Sequence, residues 1–148
     1  MQTTRGIVLR VIRHSDSRII VSLFTEHYGM LSAGVRLTRG GRTGGRSALW
    51  QMLNVAAMSV DYRPASELQK ISDVSISTPW MDLPYSPVKA SISMFLGEFL
   101  FRSLRGEGEN RPLFSFLYNS RRWLDEADGT VANFHVLLRI RMTRCLGI

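Results

Sequence analysis

The rhythm of apolar and polar positions changes near the middle of the chain. Gly6–Arg13 and Arg18–Thr25 are runs rich in β-branched residues, joined by His14-Ser15-Asp16-Ser17, which has the chemistry of a loop. They predict an antiparallel pair. Ile7, Leu9 and Val11 fall on one face of the first run and Val8 and Ile12 on the other, so both faces of that strand are expected to be covered. Glu26-His27-Tyr28-Gly29 supplies a glycine where a tight turn needs positive φ, and Met30–Leu37 follows as a third strand. Leu49–Tyr62 is ambiguous. Leu49, Met52, Leu53, Ala56 and Val60 fit a helical stripe, which periodicity slightly favours, while Val55 and the small residues permit a strand. Tyr62-Arg63-Pro64-Ala65-Ser66 turns the chain, and Glu67–Ser77 ends in the alternation of Val74 and Ile76 with Ser75 and Ser77 that suits a half-buried strand.

Pro79, Pro84 and Pro87 make a seam at Thr78–Pro87 that stops regular structure. Beyond it the period becomes helical. Ser86-Pro87 is a cap with proline at the first helical position, and Ile92, Phe95, Leu96 and Phe99 form an i, i+3, i+4, i+7 stripe running to about Leu104. Gly106-Glu107-Gly108-Glu109-Asn110 breaks this helix and is expected to be a solvated connector. Pro112 opens a second helix to about Glu126, and Val131 a third to about Leu146. The third carries Phe134, Leu137, Leu138, Ile140 and Met142 over more of its circumference than two neighbours cover, so the chain is expected to be cut short there.

Charge narrows the class of function. The 148 residues carry 19 cations against 12 anions, a net charge of +7, and only Lys70 and Lys89 among the cations are lysines. Arginine offers a planar fork for phosphate oxygens and a face that stacks on bases, neither of which solubility alone requires. The most distinctive segment is Arg36-Leu37-Thr38-Arg39-Gly40-Gly41-Arg42-Thr43-Gly44-Gly45-Arg46, and no acidic residue occurs from His27 through Val60. Its glycines let the backbone approach a polyanion while Arg36, Arg39, Arg42 and Arg46 neutralise phosphates. It matches neither the P-loop nor the dinucleotide-binding glycine pattern. His27 and Tyr28 at the second turn are candidates for stacking on bases, set against ordinary packing of the tyrosine on a neighbouring strand.

Catalytic and metal-binding groups are sparse. His14, Ser15 and Asp16 are neighbours on one connecting loop, which does not present nucleophile, base and orienting group to one another. The three histidines are scattered, and Cys145 is the only cysteine, so neither a disulfide nor a cysteine-rich metal site is expected. No enzyme, cofactor or metal is expected. Trp50, Trp80 and Trp123 are assigned to the core or the seam; Arg121, Arg122, Arg139, Arg141 and Arg144 are candidates for a second basic surface, with a solvated helix face the favoured account. No apolar run approaches the roughly 20 residues needed to cross a bilayer, and the N-terminus is unlike a secretion signal, which points to a soluble cytoplasmic protein.

The order of segments then becomes specific. Gly6–Arg10 (GIVLR), Ser15–Thr25 (SDSRIIVSLFT), Glu26–Ser32 (EHYGMLS), the basic segment, Glu67–Ile71 (ELQKI), Pro87–Ile92 (PVKASI), Asn110–Leu117 (NRPLFSFL) and Ala132–Leu138 (ANFHVLL) together resemble the RecO family of bacterial recombination-repair proteins. The resemblance implies an α+β chain: a five-stranded OB-fold barrel over residues 1–78, then a helical domain over 79–148 that is incomplete at its C-terminal end. It makes Leu49–Tyr62 a barrel strand, against the helical periodicity. It implies a non-enzymatic, nucleoid-associated role in annealing single-stranded DNA and loading recombinase during gap repair. The implied partners are single-stranded DNA, with double-stranded DNA left open, the RecR protein, and the acidic C-terminal tail of the single-strand-binding protein. Many members carry a four-cysteine zinc module in the part that would follow residue 147, and this sequence has none. Arg139, Arg141 and Arg144 beside the apolar third helix are a candidate rim for the acidic tail, although completion of an ordinary bundle core is the favoured account of that surface. The residues alone also leave open a protein-interaction scaffold whose charge is incidental.

Overall fold

The computed structural model describes residues 2–36, 49–78 and 86–126. Five strands come first: β1 (Gln2–Ser15), β2 (Arg18–Thr25), β3 (Gly29–Arg36), β4 (Val55–Asp61) and β5 (Lys70–Thr78). Two helices follow, α1 (Pro87–Ser103) and α2 (Arg111–Glu126). The third helix expected at Val131–Leu146, together with Cys145 and Trp80, lies outside the described residues.

All four ladders are antiparallel, in the order β3-β2-β1-β4-β5. The edge strands meet at one point, where Ala33 and Gln69 form a parallel bridge and the Gln69 N–H donates to the Ser32 carbonyl at 2.8 Å. The five-stranded α+β architecture is the one expected, with the sheet curled until its edges touch at that bridge instead of closing along a full ladder. In the ambiguous stretch the strand prevails over the helical stripe, but it begins only at Val55. Gln2–Ile7 of β1 pairs with Val55–Val60, and Ala56, Met58 and Val60 alternate inward against Ala57, Ser59 and Asp61. A β1 edge with unsatisfied amides decides between two patterns that the side chains alone leave close.

Two cores share β1. Inside the curled sheet, Val8, Val21, Leu23, Ala33, Met58 and Val60 pack with Trp50. On the outer side, Ile7, Leu9, Phe24 and Val55 pack with Leu96 and Leu100 of α1, Leu104 that caps its C-terminus, and Leu113, Phe114 and Leu117 of α2. Both faces of β1 are thus covered over residues 7–9, as the alternation predicted. Beyond a bulge at Leu9, between the Val8–Leu23 and Arg10–Ser22 pairs, the coverage stops: Val11 is 36% and Ile12 42% exposed. A second bulge lies at Asp73, whose φ of 54° shifts the phase of β5 so that Ile71 and Val74 both reach the inner core.

The helix starts follow their caps. Ser86 caps α1, accepting from the Lys89 N–H at 3.4 Å with Pro87 at the first position. Asn110 caps α2 through Oδ1, which accepts from the Leu113 N–H at 3.1 Å, so this helix begins at Arg111, one residue before the expected proline. Gly97 lets α1 ride close over β1, since a Cβ there would lie 3.1 Å from the Leu9 carbonyl oxygen and 2.9 Å from Met52 Sδ.

Arg121 does not lie on a solvated face. It is 3% exposed, and its Nε donates to the Leu53 carbonyl at 2.7 Å, where Leu53 holds a left-handed φ of 62° just before β4. Burial lowers the Arg121 pKa, opposed by the nearby Asp125 carboxylate and, to a lesser degree, Tyr118. Lys89, also buried, donates through Nζ to the Asp125 carbonyl at 3.0 Å. Trp50 is a core residue as expected, whereas Trp123 is half exposed.

The connector Gly106–Asn110 is a docking element. The Met30 N–H donates to the Glu107 carbonyl at 2.9 Å, and Gly29, with φ at 70°, sits directly against the Glu107 and Gly108 backbone. Thr25 Oγ1 closes the turn, donating to the Gly29 carbonyl at 2.8 Å and accepting from the Tyr28 N–H at 3.0 Å. Arg5 reaches Glu26 at 3.0 Å while its guanidinium lies over the Phe114 and Tyr118 rings, with centroid distances of 5.4 and 4.9 Å. This junction lies more than seventy residues apart in sequence, so nothing local announces it.

Two outcomes follow from the junction. Gly29→Ala would both force a side chain into the left-handed region and drive its Cβ into the 107–108 backbone, a loss of about 2–4 kcal/mol. Urea unfolding should show that loss in a single transition for sheet and helices, and a change below about 1 kcal/mol would contradict the packing described. The Arg5 hydrogen bond holds the Glu26 carboxyl below its usual value of 4.5, against a smaller opposing effect of burial. A carboxylate depressed in the folded state contributes stability above its unfolded pKa, and that contribution is lost as pH falls through the folded value. Stability of the parent minus that of Glu26→Gln should therefore be constant near pH 7 and shrink below about pH 4.5. A difference independent of pH from 7 to 3 would remove Glu26 from the acid response.

Candidate nucleic-acid interface

Alternation along β2 and β3 sends Ile19, Val21, Leu31, Ala33 and Val35 inward and leaves Arg18, Ile20, Ser22, Ser32, Gly34 and Arg36 on the outer face. The helices cover only the end of that face nearest the β2–β3 turn, where Phe24 is buried and Met30 packs against them. The other end is open. There, Arg18 and Arg36 stand directly opposite each other in the ladder, and neither belongs to an ion pair among the described residues. Like charges at paired positions repel, and an anion lying across them removes that cost.

The β1–β2 turn and the β4–β5 loop border this open face. His14, Arg18, Ile20, Gly34, Leu68 and Lys70 line a shallow groove on it. Toward the helices, on the other side of Gln69, lies a second depression bordered by Tyr62, Glu67, Phe101 and Arg105. Arg10 lies 4.6 Å and Arg105 5.7 Å from the Phe101 ring centroid, which places both guanidinium groups beside this second depression. Ser22 and Ser32 hydroxyls pair at 3.1 Å in its floor. The β4–β5 loop is held by one buried side chain: Gln69 Nε2 donates to the Arg63 and Ser66 carbonyls at 2.9 and 3.0 Å, and its Oε1 accepts from the Arg63 N–H at 2.8 Å.

The structure separates the site residues expected from sequence. Arg36 ends β3 on the open face. Arg39, Arg42 and Arg46, which follow it, lie outside the described residues, as do Arg139, Arg141 and Arg144. His27 and Tyr28 sit at the other end of β3, about 23 Å away along a strand rising ~3.3 Å per residue. His27 Nδ1 is 2.9 Å from an Arg111 nitrogen and 4.0 Å from Glu109, within the helix junction. Tyr28 stacks on Tyr62, with ring centroids 4.5 Å apart and planes 24° apart, and its hydroxyl donates to Gln2 Oε1 at 3.2 Å.

Sequence reasoning missed Arg10, Arg18, Tyr62, Lys70 and Arg105. The available signal was the alternation of Arg18 with Ile19 and of Arg36 with Val35, which places both arginines opposite the core-facing set. Tyr62 and Arg105 carried no such signal, because their proximity comes from docking α1 beside a loop. His14 and Asp16 lie exposed at the β1–β2 turn, and no group of three or more His, Cys, Asp or Glu side chains capable of holding a metal occurs among the described residues. No helix among those residues is long and apolar enough to cross a membrane.

Comparison with known proteins places this arrangement in a family. Residues 1–80, which include all five strands, match the family model for the N terminal of recombination protein O. Over its full 148 residues the chain is 42% identical to the DNA repair protein RecO of Phocaeicola vulgatus and 40% identical to that of Bacteroides fragilis. It is 30% identical over 145 residues to the DNA repair protein RecO of Flavobacterium psychrophilum. The chain spans about 61% of the length of the first two of these relatives and 60% of the third. With a family model covering more than half of its residues, the chain belongs to the RecO family.

Proposed function

We propose that this chain acts in DNA repair and recombination by holding single-stranded DNA along the outer face of β2 and β3, with the arginine-glycine segment after Arg36 extending the contact. The observation that carries the reading is the opposed Arg18–Arg36 pair, two guanidinium groups with no ion pair among the described residues, at the root of a segment containing Arg39, Arg42 and Arg46. In small barrels of this topology the face of the second and third strands, with its bordering loops, is where oligonucleotides bind. Family membership and the names of the relatives support the same reading.

The role proposed is that of a mediator, not an enzyme. It brings strands together for annealing and helps load recombinase, working through electrostatic and stacking contacts that form and dissolve without covalent chemistry. Double-stranded DNA would meet the same cations through phosphate contacts alone. The partners proposed for the whole protein are RecR and the acidic tail of the single-strand-binding protein, in the bacterial cytoplasm.

Fluorescence anisotropy with a labelled single-stranded oligonucleotide at several salt concentrations tests the interface. Each phosphate neutralised on a single strand contributes roughly −0.7 to the slope of log K against log salt. Replacing Arg36, Arg39, Arg42 and Arg46 with alanine should flatten the slope by about 3, and Arg18→Ala added to these should flatten it by about 0.7 more. An unchanged slope and affinity in the five-residue variant would exclude this face and segment, and would favour the scaffold reading in which the charge is incidental.

A further inference from the structure

We infer that the depression between the β4–β5 loop and the end of α1 is a base-reading subsite, in which one unstacked base of the bound strand lies on the Tyr62 ring with its amino edge toward Glu67. This rests on the single-strand reading above and adds to it a residue that grips a base and one that discriminates among bases.

The depression differs from the rest of the track in both shape and charge. The groove toward the β1–β2 turn is lined by the cations Arg18 and Lys70 with no carboxylate among its lining residues, although Asp73 shares a depression with Arg36. Here the lining includes a carboxylate, Glu67, together with Ser66, Gln69, Tyr62, Phe101 and Arg105. The Glu67 carboxylate repels a phosphate, so the part of a strand that lies against it is the base. The phosphate belonging to it lies on the Phe101 side of the depression, where Arg105 and Arg10 approach that ring.

Tyr62 is built as a platform. It is 42% exposed, yet Tyr28 stacks on one face of its ring at 4.5 Å, and Tyr28 is itself tied to Gln2. An exposed aromatic ring already held in one orientation loses little freedom when a base stacks on it, which is the condition for a strong stacking contact. The loop that carries Tyr62 and Glu67 is fixed by the three Gln69 hydrogen bonds and by the Gln69–Ser32 backbone bond that joins the sheet edges. The backbone that carries platform and carboxylate is therefore held in place in the free protein.

An ionised carboxylate only accepts hydrogen bonds. It pairs with the exocyclic amino group of cytosine, whereas the corresponding group of thymine is a carbonyl that it repels. The subsite should accordingly favour cytosine over thymine, the smallest change of base that reverses the hydrogen-bonding sense at that edge.

The test titrates the full chain with dC and dT oligonucleotides of equal length, for the parent, Tyr62→Leu, Tyr62→Phe and Glu67→Gln, each at several salt concentrations. Tyr62→Leu should weaken binding about tenfold with an unchanged salt slope, and Tyr62→Phe should bind like the parent. Glu67→Gln, on an exposed loop residue, should abolish or reverse the preference for dC while leaving the fold intact. Thermal unfolding of each variant separates lost stacking from lost structure, and the Glu67→Gln comparison stands even if Tyr62→Leu is destabilised. If the parent binds with a steep salt slope but shows no preference for dC and Tyr62→Leu binds equally well, the subsite is refuted and the phosphate-binding face stands. If the parent does not bind single strands at all, the reading beneath it falls, and this inference with it.

Discussion

The rest of the structure depends on β1 being buried from both sides over three consecutive residues. Val8 points into the curled sheet while Ile7 and Leu9 point into the helices, and all three are essentially inaccessible to water. Fully burying side chains of this size is worth roughly 1.5–3 kcal/mol each, and here the same short segment supplies that stabilisation to two cores at once. Val8 anchors the inner core, and Ile7 and Leu9, with Phe24 and Val55 beside them, form the floor on which the helices rest. The Leu9 bulge is where this arrangement ends, since it shifts the phase of the strand just as the helices stop covering it and the hairpin runs out into solvent.

A shared strand fixes position but leaves rotation between the layers, and polar contacts at two ends remove it. At one end the β2–β3 turn locks onto the loop between α1 and α2 through the Met30–Glu107 backbone bond and the close seat of Gly29. At the other, Arg121 reaches from α2 to the Leu53 carbonyl just before β4. A guanidinium buried this deeply is tolerated because it is hydrogen-bonded and has the Asp125 carboxylate near it; truncating it would leave the buried Leu53 carbonyl without its donor. Leu53 can hold its left-handed conformation because its N–H also donates to Val8, at 2.8 Å, so both of its backbone polar groups are engaged.

The position of the helices also shapes the surface where DNA is proposed to bind. Because α1 and α2 cover the outer sheet only near the β2–β3 turn, the cations further along β2 and β3 stay open. The end of α1 becomes one wall of the base-sized depression beside Tyr62. One packing choice thus stabilises the sheet, leaves the cationic end of β2 and β3 uncovered and builds the recess beside Tyr62. The exposed like-charge pair there is a local cost to the folded state that a bound polyanion would relieve.

Much of this was set by sequence alone. Alternation in Ile7–Leu9, the glycine of the β2–β3 turn, the Ser86-Pro87 cap and the stripe through Leu96 each reflect forces acting within a few residues, and each element formed where those forces placed it. The excess of arginine and its concentration after Arg36 are likewise properties of the chain itself. Tertiary structure decided whatever required two distant segments to meet. The helical stripe of Leu49–Tyr62 gave way to a strand because β1 offered a free row of amides. The connector at Gly106–Asn110 became a docking site because Gly29 leaves space for its backbone, and Arg121 went inside because the Leu53 carbonyl needed a donor. Tyr28 was separated from Arg36 by the length of β3 and acquired Tyr62 as a neighbour instead. The physical reason is one of range: backbone propensity and periodicity act over one or two turns, whereas desolvation of a particular carbonyl, charge or ring depends on which remote surface comes to lie against it, and that is settled only when both cores close on β1.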